Sequence, residues 1–269
     1  MDERGVPAYA AEFIGTLFLV LFICLTVSVT ASEGLTVPAL LVIALAHAIV
    51  LAMGVYALGE TSGAHFNPAV TVTLLVLRKI APAHAAVYIV MQVLGAIAAA
   101  LIVRLLVGDF GEGANWGAPG VSDVANGDGA GFLAEAIGVF VLLWAIMAMA
   151  VNVRAEKSMA GLVIGLTLGL GVLGVGALTG AALNPARAFG PALVSGEFGG
   201  AGTFLLVYVL APLVGGVLAG LAYTRLVLVE QERRWGGRLV DTDVPPGQLA
   251  DDVAATERGP GERPIDHLS

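Results

Sequence analysis

The chain has 269 residues, a net charge of −8, 58% hydrophobic and 13% charged residues, and a mean hydropathy of +0.90. Uncharged runs longer than any ordinary core helix exclude a soluble globular domain and leave a polytopic membrane protein. One cysteine, Cys24, excludes an internal disulfide and a paired-cysteine metal site, and reads as a buried structural thiol; the acidic balance reads as solvated segments rather than a surface for a basic partner.

In chain order, Met1-Asp2-Glu3-Arg4 lacks the n-region and cleavage site of a signal peptide, so the first apolar run is expected to be a retained span, about Tyr9 to Thr30, with Glu12 near its start. A turn at Ser32-Glu33-Gly34 leads to a second span, about Val37 to Leu58. A short apolar segment ending near Leu77 follows, then a loop over Arg78-Lys79-Ile80-Ala81-Pro82 and a third span, about His84 to Val107. Residues Gly108 to Gly129, rich in Gly, Asp and Asn, read as an extramembrane connector. The second half carries spans at about Phe132 to Val151, with Glu135, and Met159 to Leu178. A second short segment then reaches about Val194, and a last span covers Thr203 to Val229. The membrane domain is therefore expected over residues 1–229, with repeats at about 8–107 and 130–229. Residues 230–269 read as a tail rich in Pro, Gly and acids, without periodicity and without structure of its own.

The two short segments open on the same words. Gly63-Ala64-His65-Phe66-Asn67-Pro68-Ala69-Val70 recurs 117 residues later as Gly180-Ala181-Ala182-Leu183-Asn184-Pro185-Ala186-Arg187. Asn followed by Pro starts a helix, the amide oxygen capping free N–H groups and Pro sitting where a missing N–H does no harm. About ten residues span ~15 Å, half of a ~30 Å hydrocarbon core, so both are expected to be re-entrant half-helices. Ala11-Glu12-Phe13-Ile14-Gly15 also matches Ala134-Glu135-Ala136-Ile137-Gly138, and Tyr88 and Gly95 match Tyr208 and Gly215. Three spans per repeat invert the second copy, so the half-helices meet at the midplane from opposite faces. With the N-terminus inside, Arg4, Arg78, Lys79, Arg154, Lys157, Arg225, Arg233, Arg234, Arg238, Arg258 and Arg263 all fall on the cytoplasmic side; Arg104 is the exception and Arg187 lies within the membrane.

Non-helical backbone at membrane depth is tolerated where it is packed in protein or lines a water-filled path. Ser62 to Phe66 and Thr179 to Leu183 are such stretches, and their carbonyls could form a polar ladder for a small uncharged solute. Two half-helix N-termini at the centre repel cations, and the Asn67 and Asn184 amides can hold one passing oxygen; the bland alternative is that each is only a cap. Arg187, a charge at membrane depth, is expected to be functional, or a structural arginine satisfied by loop carbonyls. Glu12 and Glu135 either hold loop N–H groups or couple protons in a transporter. His47, mid-span, is either a core histidine or a pore group.

The doubled Asn-Pro-Ala, the trailing arginine and the paired Ala-Glu-x-x-Gly helices together resemble the aquaporin (major intrinsic protein) family over about Ala8 to Val229. The resemblance implies an all-α membrane protein of six spans plus two re-entrant half-helices in a right-handed bundle, usually a homotetramer with a pore in each subunit. It implies passive permeation without catalysis, cofactor, metal or nucleic-acid partner. By distance from the motifs, the filter falls at His47, Val172, Ala181 and Arg187. The central constriction falls at Asn67 and Asn184 with Val70 and Leu51 as apolar walls, approached by carbonyls of Gly63, Ala64, His65, Gly180, Ala181 and Ala182. Glycerol-passing members usually carry Asp directly after the arginine and a basic residue four further on; here these are Ala188 and Ala192, as in water channels. The filter set is similar to vacuolar-type plant channels, which admit ammonia, urea or hydrogen peroxide as well as water. A water channel in the cell membrane, passing some small neutral solutes, is the leading expectation; a glycerol facilitator or a proton-coupled transporter using Glu12 and Glu135 are the alternatives.

Overall fold

A computed structural model describes residues 5–235; Arg4, Arg238, Arg258, Arg263 and the remainder of the expected tail lie outside the described residues. Those described are all helix and loop. Six helices are long and apolar enough to cross a membrane, with mean hydropathies from 2.1 to 2.5. They are α1 (Val6–Thr30), α2 (Val37–Ser62), α4 (Pro82–Val107), α5 (Gly127–Ile146), α6 (Ala160–Thr179) and α8 (Ala201–Arg234). Between them lie the two half-helices, α3 (Pro68–Val76) and α7 (Pro185–Ser195), of 9 and 11 residues. A π-turn over Met147–Val151 prolongs α5, and a 3-10 stretch over Gly108–Gly117 follows α4, set off by a non-helical Gly108 at φ 52° and interrupted at Asn115 and Trp116, both at φ 48°.

The local chemistry sets these boundaries. Proline stands in the first turn of α1, α2, α3, α4 and α7, where its fixed φ suits a helix start and no N–H is lost. Helices α2 and α6 end on glycines in the left-handed region, Gly63 at φ 88° and Gly180 at φ 74°, which turn the chain out of the helix and into the two loops. Six crossings put both ends of the described chain on one face, called here the terminal face. The connector after α4 lies on the other, the connector face.

The halves pack alike, α1 on α4 in the first and α5 on α8 in the second, with α2 against α6 joining them. Lipid tails are as apolar as leucine, so small residues that let backbones approach hold such bundles together. Gly95 and Gly215 are the clearest pair: a Cβ on Gly95 would strike the Phe13 carbonyl oxygen 2.5 Å away, and one on Gly215 would strike that of Ala136. Gly15 and Gly138 likewise leave room for the Phe66 ring and the Leu183 side chain, which precede the two motif asparagines. The inverted repeat is thus carried into matching interhelical contacts.

Candidate functional site: two loops around one cavity

Each loop hangs from a buried carboxylate. Glu12 Oε1 accepts from Ser62 Oγ at 2.7 Å and from His65 N at 2.9 Å, and its Oε2 from Phe66 N at 2.7 Å and Gln92 Nε2 at 2.8 Å. Glu135 Oε1 accepts from Thr179 Oγ1 at 2.6 Å and from Ala182 N at 2.9 Å, and its Oε2 from Leu183 N at 2.7 Å. The phenols of Tyr88 and Tyr208 donate to the carbonyls of Ser62 and Thr179 at 2.7 and 2.9 Å. Hydrogen bonds to a carboxylate are among the stronger ones, which is what the backbone here requires: Ala64, Phe66, Ala181 and Leu183 all have φ between 44° and 51°, where a Cβ is strained.

Loop carbonyl directions follow from these bonds. In a planar trans peptide the carbonyl of one residue points opposite to the N–H of the next. The N–H groups of Ala64, His65 and Phe66 go to Ser62 and Glu12, and those of Ala181, Ala182 and Leu183 go to Thr179 and Glu135. The carbonyls of Gly63, Ala64 and His65, and of Gly180, Ala181 and Ala182, therefore point away from the glutamates.

The loops meet through the asparagines. Asn67 Oδ1 caps Ala69 N at 2.8 Å, and Asn184 Oδ1 caps Ala186 N at 3.0 Å and Arg187 N at 3.3 Å. Each Nδ2 then crosses over: Asn67 donates to the Leu183 carbonyl and Asn184 to that of Phe66, both at 2.8 Å. A primary amide carries two N–H groups, so one on each asparagine is left over.

Both asparagines border a cavity of about 350 Å³ that extends from His47 and Arg187 to Lys79 and Val151. Leu51, Val70, Gly63, Ala64, His65 and Ala182 also border it, among mostly apolar neighbours such as Leu19, Ile23, Leu142 and Ile146. Its wall includes no carboxylate among the described residues: Glu12 and Glu135 lie behind the loops with their oxygens engaged. Pro68, Ala69, Pro185 and Ala186 are buried outside the wall. So are Val172 and Ala181, while Gly180 lies above it against Pro119.

Arg187 is 2% exposed and its Nη1 donates to the Gly117 carbonyl at 2.9 Å, while its Nε has no partner among the described residues. His47 Nδ1 lies 2.8 Å from the Ile43 carbonyl, which can only accept, so that nitrogen carries the proton. Its Nε2, also unpartnered, keeps a lone pair. Both side chains border the cavity at this end.

Several of these residues escape a sequence reading. Gly117 belongs to the connector, read as an extramembrane loop, yet it packs on Cys24 and holds the arginine. Arg104, the basic residue on the wrong face, donates to the Val194 carbonyl at 2.7 Å and lies over the Trp116 ring, tying α4 and the connector to the end of α7. Gln92 was legible only as a polar residue in a span. Ser62 and Thr179 could have been found, since they stand 117 residues apart directly before the glycines. Lys79, assigned to a loop, is half-buried at the cavity's end, and burial lowers its ammonium below the usual lysine range.

An inverted repeat whose two half-helices meet beside a single polar-tipped cavity defines a membrane channel. Residues 4–223 match the family described as Major intrinsic protein. Glycerol uptake facilitator protein-like 6 of Lactiplantibacillus plantarum is 40% identical over 212 residues, covering 78% of this chain and 94% of that protein. Aquaporin AqpM of Methanothermobacter thermautotrophicus is 39% identical over 239 residues, covering 80% and 95%. The X-ray structure of the aquaglyceroporin from Plasmodium falciparum shares the fold, with a TM-score of 0.71 at 24% identity over 84% of this chain and 98% of that one. The chain belongs to the major intrinsic protein family.

Proposed function

We propose that the protein is a passive water channel whose filter also passes small neutral solutes such as ammonia, urea or hydrogen peroxide, and that it excludes protons and ions. The observation that carries this reading is the pair of asparagines bordering one cavity, each with an N–H left over. A water molecule accepting from both has its hydrogens turned outward, which interrupts a proton wire, and the positive ends of α3 and α7 disfavour cations at the same point. Arg187 Nε and His47 Nε2 then offer a donor and an acceptor to a solute carrying both. Because Glu12 and Glu135 spend their oxygens on the loops, proton coupling through them is disfavoured.

A glycerol facilitator is the second reading, favoured by the name of the 40% identical Lactiplantibacillus relative and opposed by Ala188 and Ala192. The basic residues around the terminal face support a cell-membrane protein with both ends cytoplasmic, assembled as a homotetramer like others of its family. Stopped-flow light scattering on proteoliposomes tests the reading. Fast, weakly temperature-dependent water flow with swelling in urea but not in glycerol is expected. Flow no faster than empty vesicles, or uptake that stops when a proton gradient is dissipated, would overturn it.

A further inference from the structure

The half of the cavity toward the terminal face has a charge problem that the other half does not. Its loop carbonyls, those of Gly63, Ala64 and His65, point away from Glu12 at residues that border the cavity. Clustered carbonyl oxygens replace the hydration shell of a monovalent cation, which is how cation filters work. In the second repeat Arg187 directly follows the Asn-Pro-Ala and borders the cavity together with Ala182. At the matching position of the first repeat stands Val70.

The first repeat supplies its cation from the far end of the half-helix. Helix α3 closes in a complete Schellman turn: Arg78 N donates to the Leu75 carbonyl at 2.9 Å and Lys79 N to that of Leu74 at 2.8 Å, with Arg78 in the left-handed region at φ 57°. The turn folds the chain back on itself, so that Lys79 borders the cavity while Arg78 stays exposed. At the end of α7 the left-handed residue is Gly196 (φ 82°), and the residue after it, Glu197, is exposed. The Lys79 ammonium makes no hydrogen bond or ion pair with any described residue, in contrast to that of Lys157, the other lysine of the chain, which donates to the carbonyls of Met149, Ala150 and Asn152.

We propose that Lys79 is a specificity-determining residue of the pore: its ammonium offsets the Gly63, Ala64 and His65 carbonyls and keeps small cations from lodging among them, as Arg187 does in the other half. This rests on the channel reading, and it assigns cation exclusion to two fixed charges, one for each half of the cavity.

The test is water permeability of proteoliposomes equilibrated on both sides with caesium chloride or, at equal osmolarity, with the chloride of bulky N-methylglucamine. Caesium is weakly hydrated and suits a carbonyl cluster. Wild type and Lys79→Arg should flow equally in the two salts, whereas Lys79→Gln should lose about half or more of its flow in caesium alone. A purely structural lysine would alter flow in both salts alike. Equal flow of Lys79→Gln in both salts overturns the inference while leaving the channel intact; absence of flow in wild type overturns the channel reading instead. Should Lys79→Gln not fold, Lys157→Arg leaves Lys79 as the one lysine, and acetylating that folded protein removes the charge. Caesium block after acetylation supports the proposal, and its absence, with mass spectrometry showing the acetyl group, refutes it.

Discussion

The loops at 62–71 and 179–188 run through the same turns, repeat the same left-handed residues and hang from equivalent glutamates, yet they are held unequally. Around the first, Gln92 bridges Glu12 and Thr71, at 2.8 and 2.9 Å, and the Thr71 hydroxyl lies 3.1 Å from His65 Nδ1. In the second, the residues at the corresponding places are Pro212, Ala188 and Ala182, none with a polar side chain. That loop is instead fastened at its rim, where Arg187 reaches Gly117 and the connector docks on the end of α6 through Ser122, bonded to the carbonyls of Ala177 and Leu178. One loop is therefore stiffened from behind by side chains and the other from above by backbone. The difference matters because the rim-held loop carries the arginine, whose position then depends on a segment outside the half-helix.

The largest effect is expected where the second loop loses the carboxylate behind it. Glu135→Ala strips acceptors from Thr179, Ala182 and Leu183, and each donor left buried costs about 1–3 kcal/mol. Recovery of monodisperse protein in detergent should collapse, and more completely than for Glu12→Ala, whose loop retains the Gln92 to Thr71 bond. Equal recovery of the two variants would remove the asymmetry.

Filling the space behind the loops is the next most severe change. Gly15→Val and Gly138→Val should displace Phe66 and Leu183, whose carbonyls receive the crossed asparagine bonds, and water permeability per folded channel should fall strongly in both. Flow near wild type in either variant would show that the loop is held without that packing.

At the rim, Arg187→Ala releases the contact with Gly117 and opens the filter. Urea and larger solutes should pass faster in swelling assays, and ion leak should rise, while thermal stability changes less than for the glutamate variants. An unchanged selectivity profile in a folded variant would contradict this. His47→Phe replaces the free acceptor with a larger apolar ring and should reduce urea and ammonia flux more than water flux; proportional loss of all three would assign His47 to packing. The smallest effect is expected for Gln92→Leu, which removes two side-chain bonds of about 0.5–1.5 kcal/mol each and should lower the melting temperature by a few degrees with little change in flow.

Much of the site was legible because its parts are doubled. A helix cap is an ordinary reading of one Asn-Pro; two copies at inverted positions, each preceded by a loop and paired with a glutamate one helix away, point to a common centre. The structure shows capping and pairing in the same side chain, since each asparagine uses its oxygen on its own helix and one N–H on the opposite loop. The connector was not legible in this way. Its Gly, Asp and Asn composition says loop, and nothing local marks Gly117 as the partner of an arginine 70 residues further on. Lys79 lies in the expected loop, but its place at the cavity was not legible for a related reason: a basic residue after an apolar run normally faces solvent, and it is the turn at Arg78 that sends it back to the cavity.

What the sequence by itself determined is what neighbours along the chain encode: six apolar spans, two helix starts at Asn-Pro, and the odd number of spans that inverts the repeat. What only the tertiary structure decided is which groups satisfy one another across the bundle. The crossed bonds join residues 116 and 118 positions apart, and the glutamates reach their loops over 44 to 54 positions. In a medium without water, every such donor must find a protein acceptor, and only the packing of the helices settles which one lies within reach.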